Sequence, residues 1–378
     1  MPSFDQLTTL RVGGPADNYR EVSTEQEFID TIRECDEAAE PLLVLGGGSN
    51  VVVADEGFGG VVVRDVRSGV AVESQDACGG ASFSAVAGTA WDDLVVHAVN
   101  NDWVGLEALS GIPGTVGAAP VQNIGAYGQE VAGAIAAVRV WNRVAGRVET
   151  FAASTLSFGY RTSRLKQSMR ADCALAGAPW YPSPAYVVLS VSFQVRLASL
   201  SVPIAYGELA RTLGVEVGAR VPQSEVRAAV LELRGRKGML LDDPAAPDFD
   251  RWSAGSFFTN PIVAADVAAS LPADAPRYPV RSALPLTTTA PSLGRIRDDV
   301  IKTSAAWLIE HAGFGRGFGL FGDESPARLS TKHTLAITNR GGASAQDVIN
   351  LARHVRAGVK DAFGITLEPE PVLVGLAL

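Results

Sequence analysis

The 378-residue chain carries 32 Lys and Arg against 41 Asp and Glu, a formal net charge of −9, with 47% hydrophobic and only 19% charged residues. That composition excludes a disordered chain, a coiled coil and a collagen-like fibre. The acidic balance argues against nucleic acid or an anionic membrane as partner, because both need a basic footprint. At about 150 residues per domain, the length predicts two or three domains with real cores.

In chain order, the start MPSFDQLTTLRVGG lacks the basic and apolar regions of a secretory signal. Thr24 and Glu27 form a capping box ahead of EFIDTIRECDEAAE, where Phe28, Ile29 and Ile32 give an apolar stripe. Short β-like runs follow: PLLVLG, VVVAD, VVVRDV and ASFSAVAG. A second helix is predicted after Thr89, through WDDLVVHAVNN. Two further strands, AVRVWN and YVVLSVSFQVRL, precede a third helix from Gln223 to Arg234. Gly235 to Pro247 reads as a loop, and the Pro/Ala-rich stretch from Leu271 to Pro291 as irregular. A fourth helix is predicted over IKTSAAWLIEHAG, then a strand TLAIT. The longest helix follows Ser344, with Asp347 as cap partner, and ends at Gly364. Strands and helices do not alternate steadily, so α+β domains are favoured over one doubly wound sheet.

Glycine, with 39 residues, exceeds the usual share of roughly 7%. In LVLGGGSNVVV a strand follows the glycines, so this is neither a P-loop nor a dinucleotide fingerprint. Its backbone N–H groups, with Ser49 and Asn50, suit a pyrophosphate, although the loop alone reads best as a hairpin turn. The formal GxGxxG at Gly317, Gly319 and Gly322 follows a helix and is set aside. GIPGTVGAAPVQNIGAYGQE, Gly111 to Glu130, is rich in Gly and Pro and almost uncharged. Such a backbone-rich surface fits a large flat cofactor such as a flavin. FGYRTSRLK sets Arg161 beside Tyr160, with Arg164 and Lys166 nearby, a pattern able to grip an anionic substrate. SAGSFFTNP fixes Ser256 and Asn260 around two phenylalanines, and TLEPEPVLVG puts Glu370 at the edge of an apolar strand. The four His are scattered without any metal-ligand spacing, so no metal site is expected. The cysteines, Cys35, Cys78 and Cys173, form no CxxC pair. A reducing, cytoplasmic location without membrane attachment is therefore expected.

Together these segments resemble the UDP-N-acetylenolpyruvoylglucosamine reductase family of flavoproteins, in order along nearly the whole chain. The carrying motifs are TLRVGGPAD, LGGGSNVVV, GIPGTVGAAPVQNIGAYG, YRTSRLK, AYGEL, AGSFFTNP, AWLIEHAGF and LEPE. The resemblance implies an α+β FAD-binding fold of the vanillyl-alcohol-oxidase/PCMH type, made of two α+β subdomains, plus a separate α+β substrate-binding domain. It divides the chain at 1–66, 67–213 and 214–364, with strand 365–378 returning to the second subdomain.

The activity implied is NADPH-dependent reduction of an enolpyruvyl ether on a UDP-sugar, through noncovalent FAD, in peptidoglycan precursor synthesis. Arg161, Ser256 and Glu370 are the implied catalytic residues. The implied cofactor contacts are Gly46, Gly47, Gly48, Ser49 and Asn50 in the first loop, then Gly111, Ile112, Pro113, Gly114 and Gly117, and last Asn123, Gly125, Ala126 and Tyr127. Tyr160, Tyr206, Lys237, Asn260 and His333 are the implied substrate contacts. Tyr206 matches the loop tyrosine that closes over the substrate diphosphate in one branch of the family. The partners are then the UDP-sugar and NADPH, and a monomer is expected. Segments 167–185 and 313–323 are longer than the resemblance implies, and Pro371 stands where the family often has Val. The alternatives are a same-fold flavin oxidase of a sugar or lactone, and a non-catalytic flavin or UDP-sugar binding protein.

Overall fold

The computed structural model describes residues 1–170, 180–281 and 295–378. These pack as two compact units, Asp17–Gly47 with Gly59–Arg236, and Met1–Ala16 with Gly48–Phe58 and Lys237–Leu378.

The first unit holds two sheets. In the smaller one the strand order is Ala16–Val22, Phe58–Asp65, Leu42–Val44, with Leu42 opposite Val61 in a parallel pair. The predicted capping box is present: Thr24 accepts from the Glu27 N–H, and Glu27 bonds back to the Thr24 N–H. It starts the helix Glu25–Glu37, whose Phe28, Ile29, Ile32 and Cys35 are buried. The larger sheet is antiparallel, in the order Arg147–Ala152, Ile135–Asn142, Tyr186–Leu197, Gly80–Val86, Val70–Asp76. Strand Tyr186–Leu197 serves both cores. Its register shifts where Val140 pairs with Val188 but Arg139 with Ser190, leaving Leu189 as the extra residue of a bulge. Val187 and Leu189 therefore join the core under helix Glu25–Glu37, whereas Val188, Val191, Phe193 and Val195 enter the other. There Phe83 stacks on Trp103 and Phe193, with centroids 4.2 and 5.0 Å away. Helices Gly207–Leu213 and Gln223–Arg236 bury Leu209, Val226, Val230 and Leu233 with Ile204 and Ala108.

In the second unit the long helix is Ala345–Phe363, with the Ser344/Asp347 capping box and left-handed Gly364 as expected. Asp55 adds a second cap by accepting from the Ala345 and Gln346 N–H groups, at 2.7 and 3.1 Å. The helix buries Val348, Ile349, Leu351, Val355 and Val359 against Phe257, Phe258, Leu308 and Leu367. Around it lie the parallel pair Val51–Val53 and Val372–Val374, a hairpin of Ala327–Leu329 with Ile337–Asn339, and a sheet ordered Ile262–Ala264, Ile296–Thr303, Arg277–Arg281.

Several expectations are corrected. GGGSN is no hairpin, because Leu42–Val44 pairs with Phe58–Asp65 while Val51–Val53 pairs with Val372–Val374. The fourth helix starts only at Ala305, since Ile301–Thr303 completes a strand and Ser304 supplies the cap. The third helix continues to Arg236, into the expected loop. The stretch read as irregular contains the strand Arg277–Arg281, where Pro279 is tolerated because the strand is at a sheet edge. Residues 282–291 of that stretch lie outside the described residues, as does Cys173. TLAIT is a turn at its start, the strand running Ile337–Asn339. Among the described residues no helix is long and apolar enough to cross a membrane.

Candidate active site

The first unit carries most of the expected cofactor loops. A Cβ on Gly47 would stand 2.7 Å from the Gly114 Cα, one on Gly46 2.9 Å from Thr115 Oγ1, and one on Gly117 2.7 Å from the Ala87 Cβ. At Gly47 and Gly114 the loops therefore pack backbone to backbone, which only glycine permits. Gly111 is held from two sides. Its N–H donates to Asp92 Oδ1 at 2.6 Å, and its carbonyl accepts from Arg234 Nε at 3.1 Å. Arg227 grips Asp92 bidentately at 2.7 Å on each oxygen. Burial alone pushes the Asp92 carboxyl up, but the Arg227 and Gly111 hydrogen bonds outweigh it and hold it below the usual range. Burial draws Arg234 down to about 10 and pushes Tyr127 up to about 12.

Asn123, left-handed and fully buried, uses both ends of its amide. Its Nδ2 donates to the Gly159 carbonyl at 2.9 Å and to Glu130 at 3.0 Å, and its Oδ1 accepts from the Ala132 N–H. Gly125 and Ala126 pair with Glu130 and Gln129 in a hairpin turned by Tyr127 and Gly128. Both turn residues have positive φ, as a type I′ turn requires. Arg161 occupies a second tight turn, between Gly159 and Thr162, at φ +53. Its Nη2 donates to the Gly125 carbonyl at 2.7 Å, and its guanidinium lies 5.3 Å from the Tyr160 ring centroid. Arg164 and Lys166, grouped with Arg161 in the sequence, do structural work instead. Arg164 lies over Phe151 and Tyr186, and Lys166 donates to Gln122. Tyr206 precedes helix Gly207–Leu213, is 44% exposed, and meets the Tyr127 ring edge-on at 5.8 Å.

In the second unit the segments that carry Ser256 and Glu370 pair from distant parts of the chain. The Phe257 carbonyl accepts from the Glu370 N–H at 2.9 Å, and the Glu368 carbonyl accepts from the Thr259 N–H at 3.0 Å. Phe257 and Phe258, both fully buried, anchor this pairing. Asn50 joins it, donating from Nδ2 to the Glu370 carbonyl at 3.4 Å and accepting from the Val372 N–H at 3.0 Å. Asn260 accepts from the Ala305 N–H at 2.9 Å and so helps start helix Ala305–His311. Lys237 is half-buried, beside left-handed Gly238. His333 sits half-buried in the turn between Ala327–Leu329 and Ile337–Asn339. That turn is held by Asp250, which accepts from Ser330 Oγ, the Thr331 N–H and Thr331 Oγ1 at 2.8, 2.8 and 2.6 Å.

The model of the UDP-N-acetylenolpyruvoylglucosamine reductase C-terminal domain matches residues 246–374, and that of an FAD binding domain matches residues 16–151. The Cutibacterium acnes UDP-N-acetylenolpyruvoylglucosamine reductase is 50% identical over 372 residues, covering 98% of this chain and 89% of that protein. The Thermobifida fusca enzyme of the same name is 47% identical over 98% of this chain and 96% of its own. The chain belongs to the UDP-N-acetylenolpyruvoylglucosamine reductase family. The crystal structure of the family member from Thermus caldophilus superposes with a TM-score of 0.60 at 26% identity, covering 99% and 97% of the two chains.

The FAD binding domain of this family member spans both glycine-rich loops, and the expected α+β FAD-binding fold holds. The donor set suits the cofactor. Residues 46–50 and 111–117 carry no charged side chain, and Gly47 lies so close to Gly114 that the two loops form one uncharged, backbone-rich surface. Sequence reasoning overlooked the braces behind the site. Thr9 accounts for two of them, its N–H donating to the Gly48 carbonyl and its Oγ1 to the Ser253 carbonyl at 2.7 Å. Arg11, at φ +56, lies 4.2 Å over the Trp252 ring and pairs with Asp242, which also accepts from Trp252 Nε1 and the Asp248 N–H. TLRV stands out only as part of a family motif, and the contacts of Thr9, Arg11 and Asp242 are ones that only the fold exposes.

Proposed function

We propose that the chain reduces the enolpyruvyl ether of UDP-N-acetylglucosamine-enolpyruvate to UDP-N-acetylmuramate, using NADPH and noncovalent FAD, in peptidoglycan precursor synthesis. FAD, which the loops at residues 46–50 and 111–127 would hold, would supply the hydride chemistry that links NADPH to the methylene carbon of the enolpyruvyl group. Arg161 binds the substrate carboxylate, into which the developing enolate charge spreads. Glu370 acts with Arg161 in stabilising that enolate. A preorganised donor such as the Arg161 guanidinium contributes roughly 3–4 kcal/mol. Ser256 then gives its proton to the adjacent carbon. The observation that carries this reading is the pairing of the Ser256 and Glu370 segments through the Phe257 carbonyl and the Glu370 N–H.

Residues 1–66 and 67–236 serve as the two FAD subdomains, since helix Gln223–Arg236 packs with Ile204 and Ala108 and strand Val372–Val374 joins Val51–Val53 of the first, and residues 237–364 bind substrate. Ser49, Asn50, Ile112, Pro113, Ala126 and the glycines around them hold FAD. Tyr160, Lys237, Asn260 and His333 contact the sugar nucleotide or the nicotinamide. The enzyme works as a cytoplasmic monomer.

A spectrum of the purified protein tests this directly. It should show bound flavin that bleaches on anaerobic NADPH addition and returns with the enolpyruvyl sugar. Acid precipitation should release all the yellow colour. Faster reoxidation by air than by the sugar would favour the oxidase reading. Tyr206 gives a second expected result. Its ring is exposed and leans on Tyr127, which supports a role in closing on the diphosphate. A binding contact shared by ground and transition states acts on KM, so Tyr206→Phe should raise KM several-fold with kcat little changed. Steady-state kinetics against the sugar checks this, and an unchanged KM would remove Tyr206 from the site.

A further inference from the structure

Glu107 lies outside every loop assigned to cofactor or substrate. It opens the short 3₁₀ turn Glu107–Leu109 and is fully buried. A buried carboxylate is costly unless its oxygens are satisfied. Here Oε2 accepts from the Gly105 N–H at 2.6 Å, and Oε1 accepts from the Val202 N–H at 2.8 Å and from Gln129 Nε2 at 3.3 Å. Gln129 answers with its Oε1, which accepts from the Ala108 N–H at 3.0 Å.

We infer that Glu107 is the positioning residue that sets Arg161 and Tyr206 at a fixed spacing. The inference rests on the roles proposed above for those two side chains. Gln129 pairs with Ala126, and its neighbour Glu130 pairs with Gly125, whose carbonyl seats Arg161. One end of this hairpin is tied to Arg161's own turn, through Asn123 bridging Glu130 and the Gly159 carbonyl. Glu107 ties the other end through Gln129. The same carboxylate fixes Val202, four residues before Tyr206. Between them Ile204 is buried with Ala108. Ala205 lies so close to the hairpin turn that a Cβ on Gly128 would stand 2.9 Å from its Cβ. Three N–H donors converge on two oxygens, so an amide nitrogen in either oxygen's place would face a donor. Only a carboxylate satisfies all three.

The test uses the FAD-loaded enzyme and Glu107→Gln, Gln129→Leu and the exchanged pair Glu107→Gln with Gln129→Glu. Glu107→Gln should keep its FAD-to-protein ratio and its rate of reduction by NADPH. Its limiting reoxidation rate with the enolpyruvyl sugar should fall about 10²-fold, as misplacement by about 1 Å commonly costs. Its KM should rise several-fold. Gln129→Leu frees the hairpin and the Ala108 N–H but leaves the Val202 N–H on Glu107, so it should slow reoxidation with a smaller change in KM than Glu107→Gln. The exchanged pair restores an amide-to-carboxylate hydrogen bond between positions 107 and 129 but leaves the Val202 N–H facing an amide nitrogen. It should therefore recover most of the limiting rate while KM stays high. A Glu107→Gln enzyme that matches wild type, loses FAD, or slows equally in both half-reactions would overturn the inference alone. So would an exchanged pair that recovers neither quantity or both. A wild-type enzyme that the sugar fails to reoxidise would overturn this inference and the proposed function together.

Discussion

Ser256→Ala should be reduced by NADPH at near wild-type rate, yet be reoxidised by the enolpyruvyl sugar slower by several powers of ten. The backbone on either side of Ser256 explains why so small a change should leave the structure alone. Gly255 turns the chain at φ +74, and Phe257 bonds through its N–H to Leu335 and through its carbonyl to Glu370. Phe257 and Phe258, 1% and 2% exposed, hold the following residues in the core. The hydroxyl is thus carried by the turn and does not support it. Positioned acid catalysis typically contributes about 10²–10⁴-fold, and without it hydride transfer leaves a carbanion with no acid nearby. Ser256→Cys should recover part of the loss, because a thiol can donate the same proton. Anaerobic stopped-flow absorbance of each half-reaction separates the cases. Equal slowing of both would mean that Ser256 holds the flavin site and moves no proton.

Local signals read well from the sequence and long-range pairings did not. Thr24/Glu27 and Ser344/Asp347 mark their helices because a capping box is a contact within one turn. Strand Tyr186–Leu197 matches its apolar run end to end because it is buried in two cores. Val70–Asp76 escaped, being almost wholly exposed and so without alternation. Ile296–Thr303 escaped for the same reason, with charges at Arg297, Asp298 and Asp299 where a strand signal would be. GGGSN misled because a strand, a turn and a strand look alike whether or not the strands pair with each other. Val51–Val53 finds its partner more than 300 residues away, at Val372–Val374.

The site shows the same division. Motif identity picked out Ser256, Glu370 and Arg161, but no spacing rule could have said that Ser256 and Glu370 share a backbone hydrogen bond at one remove. Charge clustering was a poor guide. It grouped Arg164 and Lys166 with Arg161, yet alternate residues around a turn point to different neighbours, and only Arg161 reaches the Gly125 carbonyl. Gly125 itself changes meaning. It is an implied cofactor contact, but a Cβ there would stand 2.9 Å from the Gln129 carbonyl and 3.0 Å from Arg161 Nη1. Gly125→Val would therefore unseat Arg161 whatever it does to FAD.

Arg161→Gly should separate catalysis from stability more sharply than any other substitution in the chain. Arg161 stands at φ +53, a conformation costing a side-chain-bearing residue roughly 1–2 kcal/mol and glycine almost nothing. Replacing it relieves that strain. Against this stand the lost charge-assisted hydrogen bond to the Gly125 carbonyl, about 1.5–3 kcal/mol, and the greater freedom of glycine in the unfolded chain, about 1 kcal/mol. The net loss is about 1–2 kcal/mol, so Tm should fall by only a few degrees. Catalysis has no such compensation. Losing the guanidinium fork from the substrate carboxylate should slow reoxidation by the sugar about 10²–10³-fold, with reduction by NADPH unchanged. Arg161→Lys should recover little of it, because an ammonium is a point charge and cannot match a carboxylate at two oxygens. Scanning calorimetry and stopped-flow reoxidation on the same preparation check both halves. A fall in Tm of ten degrees or more would make Arg161 a brace for the hairpin. Wild-type reoxidation by the Gly variant would remove it from the chemistry.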